Sequence, residues 1–404
     1  MKSERTVKPD DRSKQLTAER NRKMSVSAHA YVRGSTTRFY QWLESAKPEA
    51  LPEGPPVWIC GDCHVGNIGP VADSRGKLGL EIRDLDQTVI GNPAHDLIRL
   101  ALSLAMAARG SDLPGVTTAY MLEKIMDGYE AAFAPEVQGT ADLDEAEMPR
   151  LVKTVMKEAA GRSWKHLADE RIEGVEPTIP LGKRFWPLTA EEREGITTLF
   201  ADESLRRLAV SLRRMDADTK LSVADAAYWR KGCSSLGRLR FAVLVAIGEG
   251  KAARHCLLDV KEAIAPAAPR HNAAEMPRDN AERVVTGARN LSPLLGGRML
   301  PQRLLGKAVF IRELLPQDLK LEVEHLTREE AMGVAEFLAA IVGRGHARQL
   351  DSAGRRSWFN ELQRNRSKSL DAPSWLWESV VDLVGAHEAA YLQHCRKHAL
   401  SAAA

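Results

Sequence analysis

Aromatic side chains are scarce in this 404-residue sequence, where Phe, Trp and Tyr together make up 5%. Cysteine is scarce too: Cys60, Cys63, Cys233, Cys256 and Cys395 are too few to make a disulfide scaffold of a chain this long. Long apolar runs are missing. The longest, 100–108 and 241–247, fall far short of the roughly 20 residues a bilayer crossing needs. Net charge is small as well, since 57 basic and 54 acidic side chains leave +3, which gives no global pull toward nucleic acid or a membrane. The first 23 residues are densely charged and carry no apolar core, which argues against a signal peptide and leads to the expectation of a cytoplasmic protein. With 44% hydrophobic and 27% charged residues, the composition is that of a soluble globular enzyme long enough for two lobes.

One cysteine spacing invites a metal reading. Cys60-Gly61-Asp62-Cys63-His64 has the form of a haem-attachment motif and contains a CxxC. Covalent haem attachment goes with export, and no second cysteine pair completes a zinc tetrahedron.

Hydrophobic periodicity divides the chain. Residues 1–23 read as a polar, partly frayed lead-in, followed by a helix over 28–45. Short strands are expected at 57–60 and 78–83, with a turn at 74–77 between them, then a buried helix over 94–108. Residues 117–215 read as mostly helical. The period then changes: 241–247, 256–260 and 308–312 are strand-like, with a helix over about 280–291 between the second and third. Residues 327–350 and 373–397 return to helix. These segments give four regions: a lead-in at 1–45, a mostly helical lobe at 46–220, a sheet-bearing lobe at 221–325 and C-terminal helices at 326–404 that pack on the helical lobe. Strands and helices do not alternate regularly, so the fold class expected is α+β with two lobes rather than a doubly wound sheet.

Acidic and amide side chains cluster between 61 and 96: Gly61-Asp62-Cys63-His64-Val65-Gly66-Asn67, then Asp84-Leu85-Asp86, then Gly91-Asn92-Pro93-Ala94-His95-Asp96. Phosphoryl transfer needs an acceptor hydroxyl aligned by a carboxylate and Mg²⁺ held by oxygen ligands against phosphates. Asp62, at the exposed end of a buried strand, suits the first task. Asn67 and Asp84, with Asp86 beside it, suit the second. The bland alternative is that all are turn and cap residues, for which Asp and Asn are common.

This stretch is similar to the HGDxxxxN…D motif of the aminoglycoside and choline kinase-like phosphotransferases, with Cys60 where that family usually has His. The resemblance implies Asp62 as catalytic base, Asn67 and Asp84 as metal ligands, and Asp96 as a brace for the catalytic loop. It also implies ATP and Mg²⁺ as cofactors. Such an enzyme needs a Gly-rich hairpin, a following strand lysine and a helix behind it, and all three occur downstream. Gly232-Cys233-Ser234-Ser235-Leu236-Gly237 could cradle phosphates on backbone amides. Lys261 ends a strand, and the helix from Asn280 offers Glu282 as its partner, though Glu262 competes. Residues 339–347, ending His346-Ala347, resemble the LxxLHA helix end that precedes the catalytic loop in these kinases.

The order is rotated, catalytic loop first and nucleotide lobe second, which is what a circularly permuted protein-kinase-like fold would look like. Nearly the whole chain also resembles a bacterial family, domain of unknown function 2252. The shared features are Arg33-Gly34, the Cys60-to-Asn67 motif, Asp84 to Asp86, Lys261-Glu262-Ala263 and His346-Ala347-Arg348. The expectation is therefore a phosphotransferase acting on an unidentified hydroxyl acceptor. The alternatives are a pseudokinase-type nucleotide-binding module, or AMP transfer on the same fold.

Overall fold

The computed structural model describes residues 7, 9–45, 51–73, 75–134, 148–162, 178–212, 215–216, 219–233, 235–250, 253–271, 274–317, 319, 326–364 and 373–398. Ser234 of the Gly-rich turn lies outside them.

Ten strands and thirteen helices are described. A six-stranded antiparallel sheet is built from β5 (Phe185–Trp186), β6 (Leu221–Trp229), β7 (Arg240–Ile247), β8 (Arg254–Glu262), β9 (Met299–Leu304) and β10 (Lys307–Leu314), in the order β5-β6-β7-β8-β10-β9. The fold class is thus α+β. Period-two alternation gives this sheet two different faces. Phe241, Val243 and Val245 on β7, Leu258 and Val260 on β8, and Val309 and Ile311 on β10 enter one core. The intervening residues point the other way, and there Arg240, Asp259, Lys261 and Arg312 stand on neighbouring strands in register. Arg240 pairs opposite Lys261, and Asp259 opposite Arg312.

The first core is closed by helices from the segment expected to belong to the helical lobe. α7 (Ala190–Phe200) and α8 (Glu203–Leu212) contribute Ile196, Leu199, Phe200, Leu205 and Val210 to it. A boundary at 220 therefore cuts through the sheet's own core. Residues 9–24 are a regular helix, α1 (Pro9–Met24), not a frayed lead-in. Leu16 is buried in the sheet core. Buried Arg12 bonds the Glu192 carboxylate at 2.6 Å and the Pro187 carbonyl at 2.8 Å. Local composition shows charge only; the partners that order it are about 180 residues away.

The largest core holds β1 (Val57–Ile59), the hairpin β2 (Ile68–Ala72)/β3 (Leu78–Ile82), β4 (Val89–Gly91) and most of the helices. The helix expected over 28–45 is two helices, α2 (Ala28–Gly34) and α3 (Thr36–Ser45), separated at Ser35. β1 does not pair with the strand leading to Asp84. It pairs with β4, while β3 pairs with β2. α4 (Ala94–Gly110) runs through the centre, and α5 (Gly115–Ala131) packs against α11 (Arg328–Ala347). The approach is close enough that a Cβ on Gly128 would overlap the Glu336 carbonyl. α6 (Arg150–Gly161), α9 (Asn280–Leu291), α10 (Pro293–Gly296), α12 (Ser352–Arg364) and α13 (Ser374–His398) complete the structure. α9 bridges the two parts: its Val284, Val285 and Ala288 enter the helical core while it packs on β9 and β10. No helix among the described residues is long and apolar enough to cross a membrane.

Candidate functional site

The 60–67 loop is held from every side. Asp96, in the first turn of α4, accepts from the Cys60 N–H at 2.7 Å and the Gly61 N–H at 2.9 Å. Its second lone-pair set meets His346 Nε2 at 3.2 Å, and His346 Nδ1 meets the Tyr129 hydroxyl at 2.9 Å, which also accepts from Trp358. The Tyr40 hydroxyl donates to the Gly61 carbonyl at 2.6 Å. Gly61 has φ +73°, and a Cβ there would overlap the Gln87 carbonyl, so only glycine fits this turn. These charge-assisted and buried bonds make the loop a rigid platform.

Asp62 itself is buried, and its carboxylate accepts from Arg99 Nε at 2.9 Å. Burial raises its pKa, opposed chiefly by the Arg99 charge. It does not line the neighbouring cleft. Asn67 does, and its Nδ2 donates to the Asp62 carbonyl at 2.9 Å, which leaves Oδ1 as the atom free to accept a cation.

The cleft, of about 150 Å³, lies between this loop, the β2/β3 hairpin and the polar face of the sheet. Five of its lining side chains are cationic (Arg33, Arg83, Lys231, Arg240, Arg312) and one, Asp84, is anionic. Lys261 comes from β8 to bond Asp84 at 3.2 Å and Asp86 at 2.5 Å. Arg240 makes a two-pronged bond with fully buried Asp259 at 2.9 and 2.6 Å. Arg312 reaches Asp259 at 3.3 Å and donates to the Arg83 carbonyl at 2.9 Å, which ties the sheet to the segment carrying Asp84. Burial would raise the Asp84 pKa, but Lys261 and then Arg312 hold it well below the usual carboxylate range. Asp86 moves the opposite way, pushed up by burial and then by the Asp84 charge. Electrostatically the two acids are unlike: the nearby cations favour the ionised form of Asp84, while burial and the Asp84 charge work against that of Asp86.

Of the residues singled out in the Gly-rich turn, Gly232 (φ +96°) and Ser235 line the cleft. A Cβ on Gly232 would overlap Ser235 Oγ, so the turn is shaped around glycine. Gly237 (φ +95°) does not join them; a Cβ there would face Thr17 and Ser13 of α1. Glu282 does not pair with Lys261 either. It is exposed on the first turn of α9, whose inward phase is occupied by Arg283 one residue on. Glu262, the competing candidate, is engaged by the Leu239 N–H and by Lys307. Lys261 is neutralised instead by the two aspartates. Arg283, fully buried and pushed down to about 10 by desolvation, donates to the carbonyls of Thr88, Asp86 and Ile264. It thereby clamps the segment that carries both acids. Arg99, Arg283 and the Arg240–Asp259–Arg312 group escaped the sequence reading because isolated arginines carry no local signal. Strand phase could have found the last group, since 240, 259, 261 and 312 all alternate with core residues.

Among the described residues no three His, Cys, Asp or Glu side chains gather to enclose a metal. Mg²⁺ does not require that, because it commonly takes one or two carboxylates and completes its shell with water and substrate phosphates. Asp84, the Asn67 amide oxygen and Asp86 suit such a partial site. Asp86 Oδ1 is buried without a hydrogen-bond partner, an orphan acceptor of the kind a cation satisfies.

A family model described as an uncharacterised protein conserved in bacteria, DUF2252, matches residues 12–397, and the chain belongs to that family. No curated protein and no solved structure matches it.

Proposed function

We propose that this DUF2252 protein is an ATP- and Mg²⁺-dependent phosphotransferase acting on a hydroxyl acceptor, built on two kinase-like lobes in permuted chain order. The observation that carries the reading is the meeting of Lys261 with Asp84 across 177 residues of sequence. No local preference brings a strand-end lysine to that acid. Further support comes from the order Gly turn, β7, Lys261, α9, β9/β10, and from a cleft whose surplus of positive charge suits a polyphosphate.

In this reading Asn67, Asp84 and Asp86 would hold the metal, whose charge would offset that of the phosphates. The amide groups of the Gly232 turn and the Lys261 ammonium hold the phosphates. Asp62 takes the acceptor proton once its carboxylate turns from Arg99 toward the cleft, and burial, which raises its pKa, suits a base that must receive one. A second reading, nucleotide binding without transfer, is favoured by one observation: the Asp62 carboxylate is engaged by buried Arg99 rather than open to the cleft.

A thermal-shift series with ATP, ADP and GTP, each with and without Mg²⁺, tests both. A nucleotide at about 100 times its dissociation constant should add about 2.7 kcal/mol of stability. No shift with any nucleotide removes both readings. A shift with no phosphoryl transfer to any hydroxyl acceptor, water included, selects the second.

A further inference from the structure

The cleft contains a cation that the chemistry above leaves unused. Arg33 lies in the last turn of α2, half-buried, on the cleft wall. Among the described residues no carboxylate pairs with it, in contrast to Arg240, Lys261 and Arg99. Its placement is nonetheless tightly determined. The carbonyl of the preceding residue, Val32, accepts from Arg99 at 2.6 Å, and the same guanidinium holds Asp62. The following residue, Gly34, packs closely on the end of α1 and on the Gly-rich turn, where a Cβ would lie 2.7 Å from Met24 Cγ and 3.1 Å from Cys233 Sγ. Opposite, a Cβ on Gly66 would lie 3.2 Å from Cζ, Nε and Nη2 of Arg33. Glycine at 66 therefore lets the guanidinium approach the backbone between Asp62 and Asn67.

Arg33 thus stands between the loop assigned to the acceptor and the turn assigned to the nucleotide phosphates. A group passing from one to the other must cross in front of it. We propose that Arg33 clamps the terminal phosphoryl group of the nucleotide during transfer, an inference that rests on the phosphotransfer reading. In that step the acceptor oxygen bonds to the γ-phosphorus as the bond to the β–γ bridging oxygen breaks. ADP leaves with the electron pair, and the hydroxyl proton passes to Asp62. Arg33 keeps its own protons and offsets charge on the equatorial oxygens, a task its planar fork suits better than a lysine would.

The test is a binding comparison that needs no acceptor. Full-length wild type and Arg33→Met are titrated calorimetrically with Mg²⁺ plus either ADP or the β,γ-methylene analogue of ATP. Arg33→Met should keep ADP affinity within about two-fold and lose about 10–100-fold for the analogue, the worth of one charged two-pronged contact. Arg33→Gln should repeat the pattern, which guards against a folding defect peculiar to Met. Equal losses for both nucleotides, or no loss for either, overturn the clamp while leaving the phosphotransferase intact. Wild type that binds neither nucleotide removes the phosphotransfer reading itself.

Discussion

Lys261→Met is the perturbation with the most to say about this site. The ammonium is 3% exposed and lies 2.5 Å from Asp86 and 3.2 Å from Asp84. At an effective dielectric of about 20 the shorter contact alone has a gross attraction of roughly 6–7 kcal/mol, most of it cancelled by desolvation of both partners. Removing one member of a buried pair typically costs about 3–5 kcal/mol, because the other charge is left behind. Here the Asp84 side chain is 44% exposed and Arg312 remains nearby, which places the expected loss at the lower end, about 3 kcal/mol. The loss should depend on pH. Asp86 has a folded pKa raised above its unfolded value, so its ionised form is the disfavoured one, and without Lys261 it is disfavoured further. The Asp86 part of the penalty is therefore full above the variant's still higher folded pKa and fades as pH falls toward the raised wild-type pKa, below which Asp86 is protonated in both folded proteins. Urea unfolding of wild type and variant at pH 7.5 and pH 4.5 measures this directly. Asp86→Asn added to Lys261→Met should recover part of the loss at the higher pH. A penalty equal at both pH values, or none, would show that the lysine does not carry the charge balance of this pair.

Asp62→Asn should leave Mg²⁺–nucleotide affinity within about three-fold, by calorimetry, while removing phosphoryl transfer; parallel loss of binding would place Asp62 among the nucleotide contacts instead. Glu282→Gln, at an exposed position, should change stability by less than about 0.5 kcal/mol and leave nucleotide affinity unaltered, as read by urea unfolding and titration. Gly128→Ala should destabilise the protein by about 1–3 kcal/mol, since the added methyl meets the Glu336 backbone of the facing helix, which cannot rotate away. Cys60 and Cys63, fully buried with thiol pKa values pushed up, should react with a thiol reagent only on unfolding, after Cys233 and Cys395.

Much of the architecture and part of the site were legible in the chain itself. Strand-like runs located β7, β8 and β10, and the helical stretch expected over about 280–291 is α9. The spacing of Asp62, Asn67 and Asp84 singled out the loop that Asp96 braces. These signals are local, set by φ/ψ preference, capping and side-chain period, and so survive in a linear reading. The tertiary structure alone decided everything that depends on a distant partner. A run of charge at 9–24 became a helix because Arg12 found Glu192 and Leu16 found the sheet core. β1 paired with β4 rather than with the strand before Asp84. Arg283, not Glu282, turned inward because the phase of α9 is set by the core it packs against. Lys261 found Asp84 only because sheet register placed its face toward the β2/β3 hairpin. Burial and counter-charge are properties of neighbours in space, and a sequence specifies those only through the completed fold.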